Sequence, residues 1–346
     1  MKISLHKSCK GYFVLLIIFF HLTGNPLFAQ QLNSGDENAS VTDTSYVADY
    51  KDQLTARIFL LYQDASIAVN PESSEELIFR PNVSGRIGIA GFYKWFGLGL
   101  SLGNSILKRS TTTYGNTSVL DLRVNAYGRP VAAEVYFQDL KGFYIPNFKD
   151  PEGNFYKIPD MHVFALGFTG YYIYNYQRFS IRSAFIQNER QKKSAGSFIL
   201  RPTFLYYKLS SDNGILPAQM ISSYGISTTF NLRQGEFVSI GLAPGYTYSL
   251  ILFKNFYLNA AVFPGVLWQH YNYESNLITN TGSNFTFTLS WRAALGYNTD
   301  RWYIGASIVS GFDKIPGWIG NSNFYYDIAQ VRFWVGTRFS WFKKKK

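Results

Sequence analysis

Phe285-Thr286-Phe287-Thr288-Leu289-Ser290-Trp291-Arg292-Ala293-Ala294-Leu295-Gly296-Tyr297-Asn298-Thr299-Asp300-Arg301-Trp302 carries two signals at once. Phe285, Phe287, Leu289, Trp291, Ala293 and Leu295 are apolar, and the residues between them are small, polar or arginine. That period of two belongs to a strand with one face in lipid and the other in a polar lumen. The stretch then ends in a short turn, Tyr297 to Trp302, where Arg301 lies among aromatic rings. Such rings collect at the membrane–water boundary, because they present an apolar body and a polar edge.

Four more turns share that composition: Tyr93-Lys94-Trp95-Phe96, Tyr127-Gly128-Arg129-Pro130, Tyr176-Gln177-Arg178-Phe179 and Phe253-Lys254-Asn255-Phe256. Each joins two alternating stretches. The pattern predicts an all-β fold: a transmembrane antiparallel up-and-down β-barrel of about fourteen strands, with twelve or sixteen as alternatives. The strands are expected near 54–62, 77–93, 96–105, 117–127, 130–138, 161–174, 178–187, 197–208, 223–233, 237–252, 256–268, 284–297, 301–311 and 325–341. An even number puts both termini and the aromatic turns on the periplasmic side. The outer links are then 63–76, 106–116, 139–160, 188–196, 269–283 and 312–324. Two places disturb this order: the 209–222 link is long for a periplasmic turn, and Gln234-Gly235-Glu236 is short for an outer loop.

Register tests the reading, since residues opposite each other must share a face. Pairing Tyr93 with Phe96, Tyr127 with Pro130 and Asn298 with Arg301 sets apolar residues opposite apolar ones. The second pairing also sets Arg123 opposite Glu134.

The N-terminus reads as a targeting segment. Lys2, Lys7 and Lys10 precede the apolar run Tyr12 to Phe20, and Leu27-Phe28-Ala29 resembles a cleavage site. The expected organisation is a signal peptide over 1–29, a polar periplasmic leader over 30–52, a barrel over 53–342 and a basic tail over 343–346. Removing the three lysines of the signal from a net charge of +11 leaves about +8. The only cysteine, Cys9, falls inside that segment, so the mature chain has no disulfide, thiolate metal site or cysteine nucleophile. A basic exported chain with interfacial aromatics points to lipid headgroups and lipopolysaccharide, not nucleic acid, as the partners of its charge.

The polar set expected to line the lumen is Arg57, Arg80, Arg86, Arg123, Arg182, Arg201, Arg292, Arg332 and Arg338, with Asp121 and Glu134 the main acids. It reads either as interior ion pairs that fill the barrel or as a cationic lumen that admits anions. Glu189, Arg190, Gln191, Lys193 and Ser194 are expected on an outer loop, as a solvated turn or a ligand contact. The aromatic link 139–160, with Phe143, Tyr144, Phe148, Phe155 and Tyr156, is expected either to fold into the lumen or to present rings to sugars. The mature chain has two histidines, His162 and His270, near outer strand ends and in phase with apolar neighbours. They read as interfacial side chains. No His-Glu-x-x-His or phosphate loop accompanies them. The chain is therefore expected to have no catalytic residue, no metal and no cofactor, and not to be an enzyme.

Two segments carry a family resemblance. The run Asn175 to Ser180 followed by Gln187 to Ser197, with Tyr46 to Leu54 and Arg80-Pro81-Asn82 before it, resembles an uncharacterised family of Bacteroidota envelope proteins, a domain of unknown function. The resemblance spans roughly 45–342 and implies an outer-membrane barrel without assigning an activity. The expected role is a porin-like channel, small-solute transporter or structural envelope protein, inserted by the outer-membrane assembly machinery. A small anionic solute is a further candidate partner. The alternatives are a lipid-modifying enzyme using the rim histidines and a loop-based adhesion platform.

Overall fold

The computed structural model describes residues 42–340 apart from 71–75, 84, 104–108, 226–227, 229–230 and 317–322. The expected signal peptide, most of the leader, Cys9 and the basic tail lie outside the described residues, as do Trp341 and Phe342. Among the described residues no helix is long and apolar enough to cross a membrane. Strands do so instead.

In chain order the strands are β1 (Val47–Asp49), β2 (Leu54–Asn70), β3 (Leu77–Pro81), β4 (Gly85–Tyr93), β5 (Phe96–Gly103), β6 (Ser118–Tyr127), β7 (Val131–Lys149), β8 (Phe155–Ile173), β9 (Glu189–Gln191), β10 (Ala195–Ser210), β11 (Leu232–Leu252), β12 (Phe256–Ser275), β13 (Thr279–Asn298), β14 (Trp302–Pro316) and β15 (Asn323–Phe339). β2, β4 to β8 and β10 to β15 pair antiparallel in succession, and β15 pairs back onto β2. The ring therefore closes on twelve strands, the smaller of the alternatives, and leaves no sheet edge in lipid. β3 pairs with the outer part of β2 and with Phe143 and Tyr144 of β7, so it bridges above the short β5–β6 hairpin.

Two stretches expected to be strands fold otherwise. Residues 178–187 form a turn and the helical turn Arg182–Phe185; of 223–233, Tyr224 ends a short helix, Ala218–Tyr224, and Leu232 and Arg233 already belong to β11. Each false strand reverses the direction of everything after it until the next. With both removed, the long 211–231 link belongs to the outer end, and Gln234 to Glu236 lie within β11. Both irregularities in the sequence reading disappear together.

Faces come out as the alternation predicts. Phe285, Phe287, Leu289, Trp291 and Leu295 are exposed on the outside, whereas Arg292 and Ala294 are buried inside. Tyr93 pairs with Phe96 as expected. In the other two turns the partner lies two residues further on: Tyr127 pairs with Ala132, and Asn298 with Tyr303. A shift of two preserves every face. It also separates Arg123, which pairs with Tyr136, from Glu134, which pairs with Asn125.

The outward apolar band has a consistent upper edge. On β12 the outward residues are apolar from Phe256 to Trp268 and turn polar at His270, Asn272 and Glu274. The same change comes at Asp139 on β7, His162 on β8, Lys208 on β10, Glu236 on β11 and Ser283 on β13. A band of that many residues on tilted strands covers roughly 30 Å, the thickness of the hydrocarbon core. His162 and His270 thus sit at its outer edge. Strands such as β11, 21 residues long, continue well beyond it. Inside that projecting part lies a dry cluster that includes Ile67, Leu77, Phe79, Phe143, Phe148, Tyr156, Leu232 and Phe237, with Leu216 and Met220 from the outer link.

Candidate functional site

The residues between β8 and β10 are the polar core of the molecule. Five segments meet there at the end of the barrel that carries the tight turns. The stretch 174–194, expected partly as a strand and partly as an outer loop, instead fills the lumen at that end. Its backbone turns at Asn175, whose carbonyl accepts from Phe179 N at 2.9 Å. Ser180 then caps the helical turn: its Oγ accepts from Ser183 N at 3.1 Å. Gln187 leaves the turn with a φ of 63° and hydrogen-bonds Ala184 O at 2.6 Å and Tyr257 OH at 3.1 Å.

Glu189 is the latch. It is wholly buried, ion-paired to Arg182 at 3.1 Å and to Arg129 at 3.4 Å, and it accepts from Ser180 Oγ at 2.5 Å. Arg182 also donates to Asn188 Oδ1 at 2.9 Å and to Lys94 O at 2.5 Å, tying the plug to the β4–β5 turn. From the barrel wall, Arg338 donates to Gln187 O at 2.8 Å and Arg57 donates to Phe185 O at 2.7 Å. Of the residues expected on an exposed loop, Glu189 and Gln191 are buried, Arg190 pairs with Asp300 at 3.1 Å, and Ser194 Oγ accepts from Ile251 N at 2.9 Å. Lys193 stacks on Tyr46 at 5.1 Å. They form a periplasmic plug and its rim, not an outer surface, which removes 188–196 as an adhesion loop.

A strap from the N-terminal side binds this plug. β1 pairs with β9 through Val47–Gln191, Ala48–Arg190 and Asp49–Glu189. Tyr50 N donates to Asn188 O at 3.0 Å, and the Tyr50 hydroxyl donates to Asp300. Burial, with that carboxylate as acceptor, pushes the Tyr50 hydroxyl up to about 12.

Above the plug is a chamber of about 220 Å³, floored by Phe185 and Ile186 and roofed by Leu205 and Tyr207. Arg57, Arg123, Arg201, Arg292 and Arg332 line it with Asp121 and Glu134. Asp121 is paired with Arg86 and Arg123, each at 3.0 Å. Glu134 pairs with Arg292 at 3.5 Å and accepts from Tyr127 and, at 2.7 Å, from Tyr171. So the lumen set is brought together, except Arg80, which lies on β3, and Arg182 and Arg338, which hold the plug. Gln63, Gln138 and Gln187 escaped the sequence reading. Gln63 and Gln138 alternate in phase with apolar core residues of β2 and β7, a signal that was there to use.

The link 139–160 mostly extends β7 and β8, and its Phe143, Phe148 and Tyr156 pack inward into the outer cluster. On the outside, His162 Nε2 lies 3.0 Å from Asp139, and His270 Nδ1 lies 2.9 Å from Ser283 Oγ. Among the described residues no cluster of three or more His, Cys, Asp or Glu side chains could hold a metal.

Outer-membrane β-barrels of known structure are similar to this chain. The outer-membrane protease OmpT from Escherichia coli is 11% identical, with a TM-score of 0.35, over 83% of this chain and 96% of its own. The translocator domain of the autotransporter NalP from Neisseria meningitidis is 9% identical, with a TM-score of 0.34, over 91% and 95%. Ail, the attachment invasion locus protein of Yersinia pestis, is 9% identical, with a TM-score of 0.24, over 83% and 98%. The protein is an integral β-barrel of the outer membrane. The expectation that it is not an enzyme is corrected here: a protease is among the similar barrels, so this architecture does not exclude catalysis. At such identity the likeness is one of fold. No curated protein matches the chain. Residues 41–339 match the family described as Domain of unknown function (DUF4421), and the chain belongs to that family.

Proposed function

We propose that this barrel is a gated small-solute transporter, closed in the state described, with the 174–194 plug as its gate. One observation carries the reading: a polar chamber in mid-barrel is separated from the periplasmic side by a plug tied down by ion pairs and hydrogen bonds, with Phe179, Ile181 and Ile186 packed in an apolar cluster beside them. Water can replace the polar contacts at small net cost, so resistance to opening comes from the buried Glu189 pairs and those few apolar side chains. An open pore does not fit, because apolar packing also fills the outer end. The test is planar-bilayer conductance. Wild-type protein is expected to be insulating with rare anion-selective openings, and Glu189→Gln to open more often. Insulation in both, with the plug of the variant shown to be displaced by labelling, would make the barrel a closed vessel and reject transport.

A second reading rests on the outer rim. Asp139 and His162 form a pair on the outward face, at the headgroup level of the outer leaflet, with Ser210 next to His162 in the ladder. An acid, a base and a hydroxyl in that order suit attack on a lipid ester. Loss of phospholipid or lipid A hydrolysis in His162→Ala would support it. An unchanged lipid profile on complete removal of the protein would reject it.

A further inference from the structure

The chamber has more positive charge than its own acids neutralise. Asp121 and Glu134 are occupied by Arg86, Arg123 and Arg292. Among the described residues, Arg57, Arg201 and Arg332 have no carboxylate within ion-pair distance. Their guanidinium faces are covered by rings: Arg332 by Phe59 at 5.0 Å, Arg201 by Phe263 at 5.5 Å, and Arg57 by Phe92 at 5.1 Å. Stacking fixes the planes and leaves the edges for hydrogen bonding, of which Arg57 uses one nitrogen on Phe185 O and Gln187 Oε1 and Arg201 one on Ser290 Oγ. The Nε of each of the three is buried without a hydrogen-bond partner. So is Gln138 Oε1.

Three uncompensated guanidinium groups around one cavity are costly to keep out of bulk water. A cavity of about 220 Å³ has room for roughly seven waters, or for a compact anion with part of that shell. Planar forks presented edge-on match tetrahedral oxyanions, which accept several parallel N–H bonds at once. An excess of three charges suits a dianion better than a halide.

We propose that this chamber is a binding site for a phosphate dianion, free or as the headgroup of a small phosphorylated solute, held by Arg57, Arg201 and Arg332. The assignment rests on the transporter reading for the route of entry, not for the site itself. It also gives roles to arginines that the ion-pair network leaves over.

The experiment is calorimetric titration of the full chain in detergent, with the fold verified by heat-modifiable mobility. Inorganic phosphate and glycerol 3-phosphate are the probes, in sodium chloride of matched ionic strength. Phosphate is expected to bind and to raise the unfolding temperature with concentration. Arg332→Met should weaken binding at least tenfold. Arg332→Lys, which keeps the charge but loses the fork, should recover only part of it. Equal affinity for both probes would identify the phosphate group as the ligand, and binding of inorganic phosphate alone would identify the free ion. If the closed wild type shows no heat, Glu189→Gln is titrated to admit the probe. Absence of binding in both proteins, or binding unchanged by Arg332→Met, would overturn the site. Binding without conductance would instead reject transport and leave the site standing.

Discussion

Removing Glu189 should release the plug. Its carboxylate is wholly buried and is the shared counter-ion of Arg182 and Arg129. Breaking a buried pair by deleting one partner costs about 3–5 kcal/mol, because the remaining charge is stranded. Arg182 keeps Asn188 Oδ1 at 2.9 Å and Lys94 O at 2.5 Å, so the lower end applies. A loss of about 3 kcal/mol, read at 1.4 kcal/mol per factor of ten, raises the open fraction roughly 100-fold. The reporter is Ser307→Cys, at a buried position lining the chamber, in a Cys9→Ser background. A small charged thiol reagent added from the periplasmic side labels it only when the plug is open. Glu189→Ala should speed labelling by about two orders of magnitude. Glu189→Gln should speed it less, because the amide can still meet Ser180. A rate unchanged within about twofold, in protein that retains heat-modifiable mobility, would refute the claim that this latch holds the plug.

Three further outcomes follow from the same contacts. Ala48→Cys with Arg190→Cys joins directly opposed residues of β1 and β9, whose Cα atoms should lie about 4.5–5.5 Å apart, within disulfide range. Oxidation should suppress labelling of the chamber even in Glu189→Ala, and labelling that persists would uncouple strap from plug. The raised Tyr50 hydroxyl favours the folded state while it is protonated, so its contribution is complete below its ordinary value of 10.0 and is lost as pH rises through about 12. Alkaline loosening of the strap, followed by tyrosinate absorbance and labelling rate, should therefore be absent in Tyr50→Phe. Lys94 holds a φ of 53° in the β4–β5 turn, a conformation that costs a side-chain-bearing residue about 1 kcal/mol. Lys94→Gly should raise stability against denaturant by about that amount, and a loss of stability would show that the lysine side chain matters more than its backbone strain.

The barrel was legible because lipid and lumen impose a period of two on every strand, and a register error of two leaves that period intact. Leu122 meets Phe137 across the Tyr127 turn, two residues on from Val135, and the pair is still apolar against apolar. The plug was not legible for the same reason. Phe179, Ile181 and Phe185 alternate with Ser180 and Arg182, so local composition mimics a strand that tertiary contacts bend into a turn. The signal that could have exposed it was topological. A strand at 178–187 made an overlong periplasmic link at 209–222 and an outer loop too short at 234–236. The arginines were found one by one, but their division into paired and surplus charges needed three dimensions. Asp121 and Arg123 share one face of β6, but Arg86 and Arg292 could be assigned to Asp121 and Glu134 only when β4, β6, β7 and β13 were placed around one lumen.

The two ends of the lumen are closed by different shares of apolar and polar contact, and on the transporter reading that difference makes the periplasmic end the one to open. The outer cluster buries Phe79, Phe143, Phe148, Leu232 and Phe237 among others, and each such side chain is worth about 1.5–3 kcal/mol when withdrawn from water. Opening that end would expose them all together. The periplasmic plug buries fewer, chiefly Phe179, Ile181 and Ile186, and its many hydrogen bonds exchange with water at about 0.5–1.5 kcal/mol net each. Its costly element is the carboxylate of Glu189 between two arginines, a single point that one substitution or one competing anion can address. The strap adds the three β1–β9 residue pairs and the Tyr50 contacts to Asn188 and Asp300, all of which favour the plug in place. An anion entering from the periplasmic side would meet first the arginines that hold Glu189 and then the three that have no carboxylate of their own. On the transporter reading, one negative charge would then both loosen the plug and occupy the chamber.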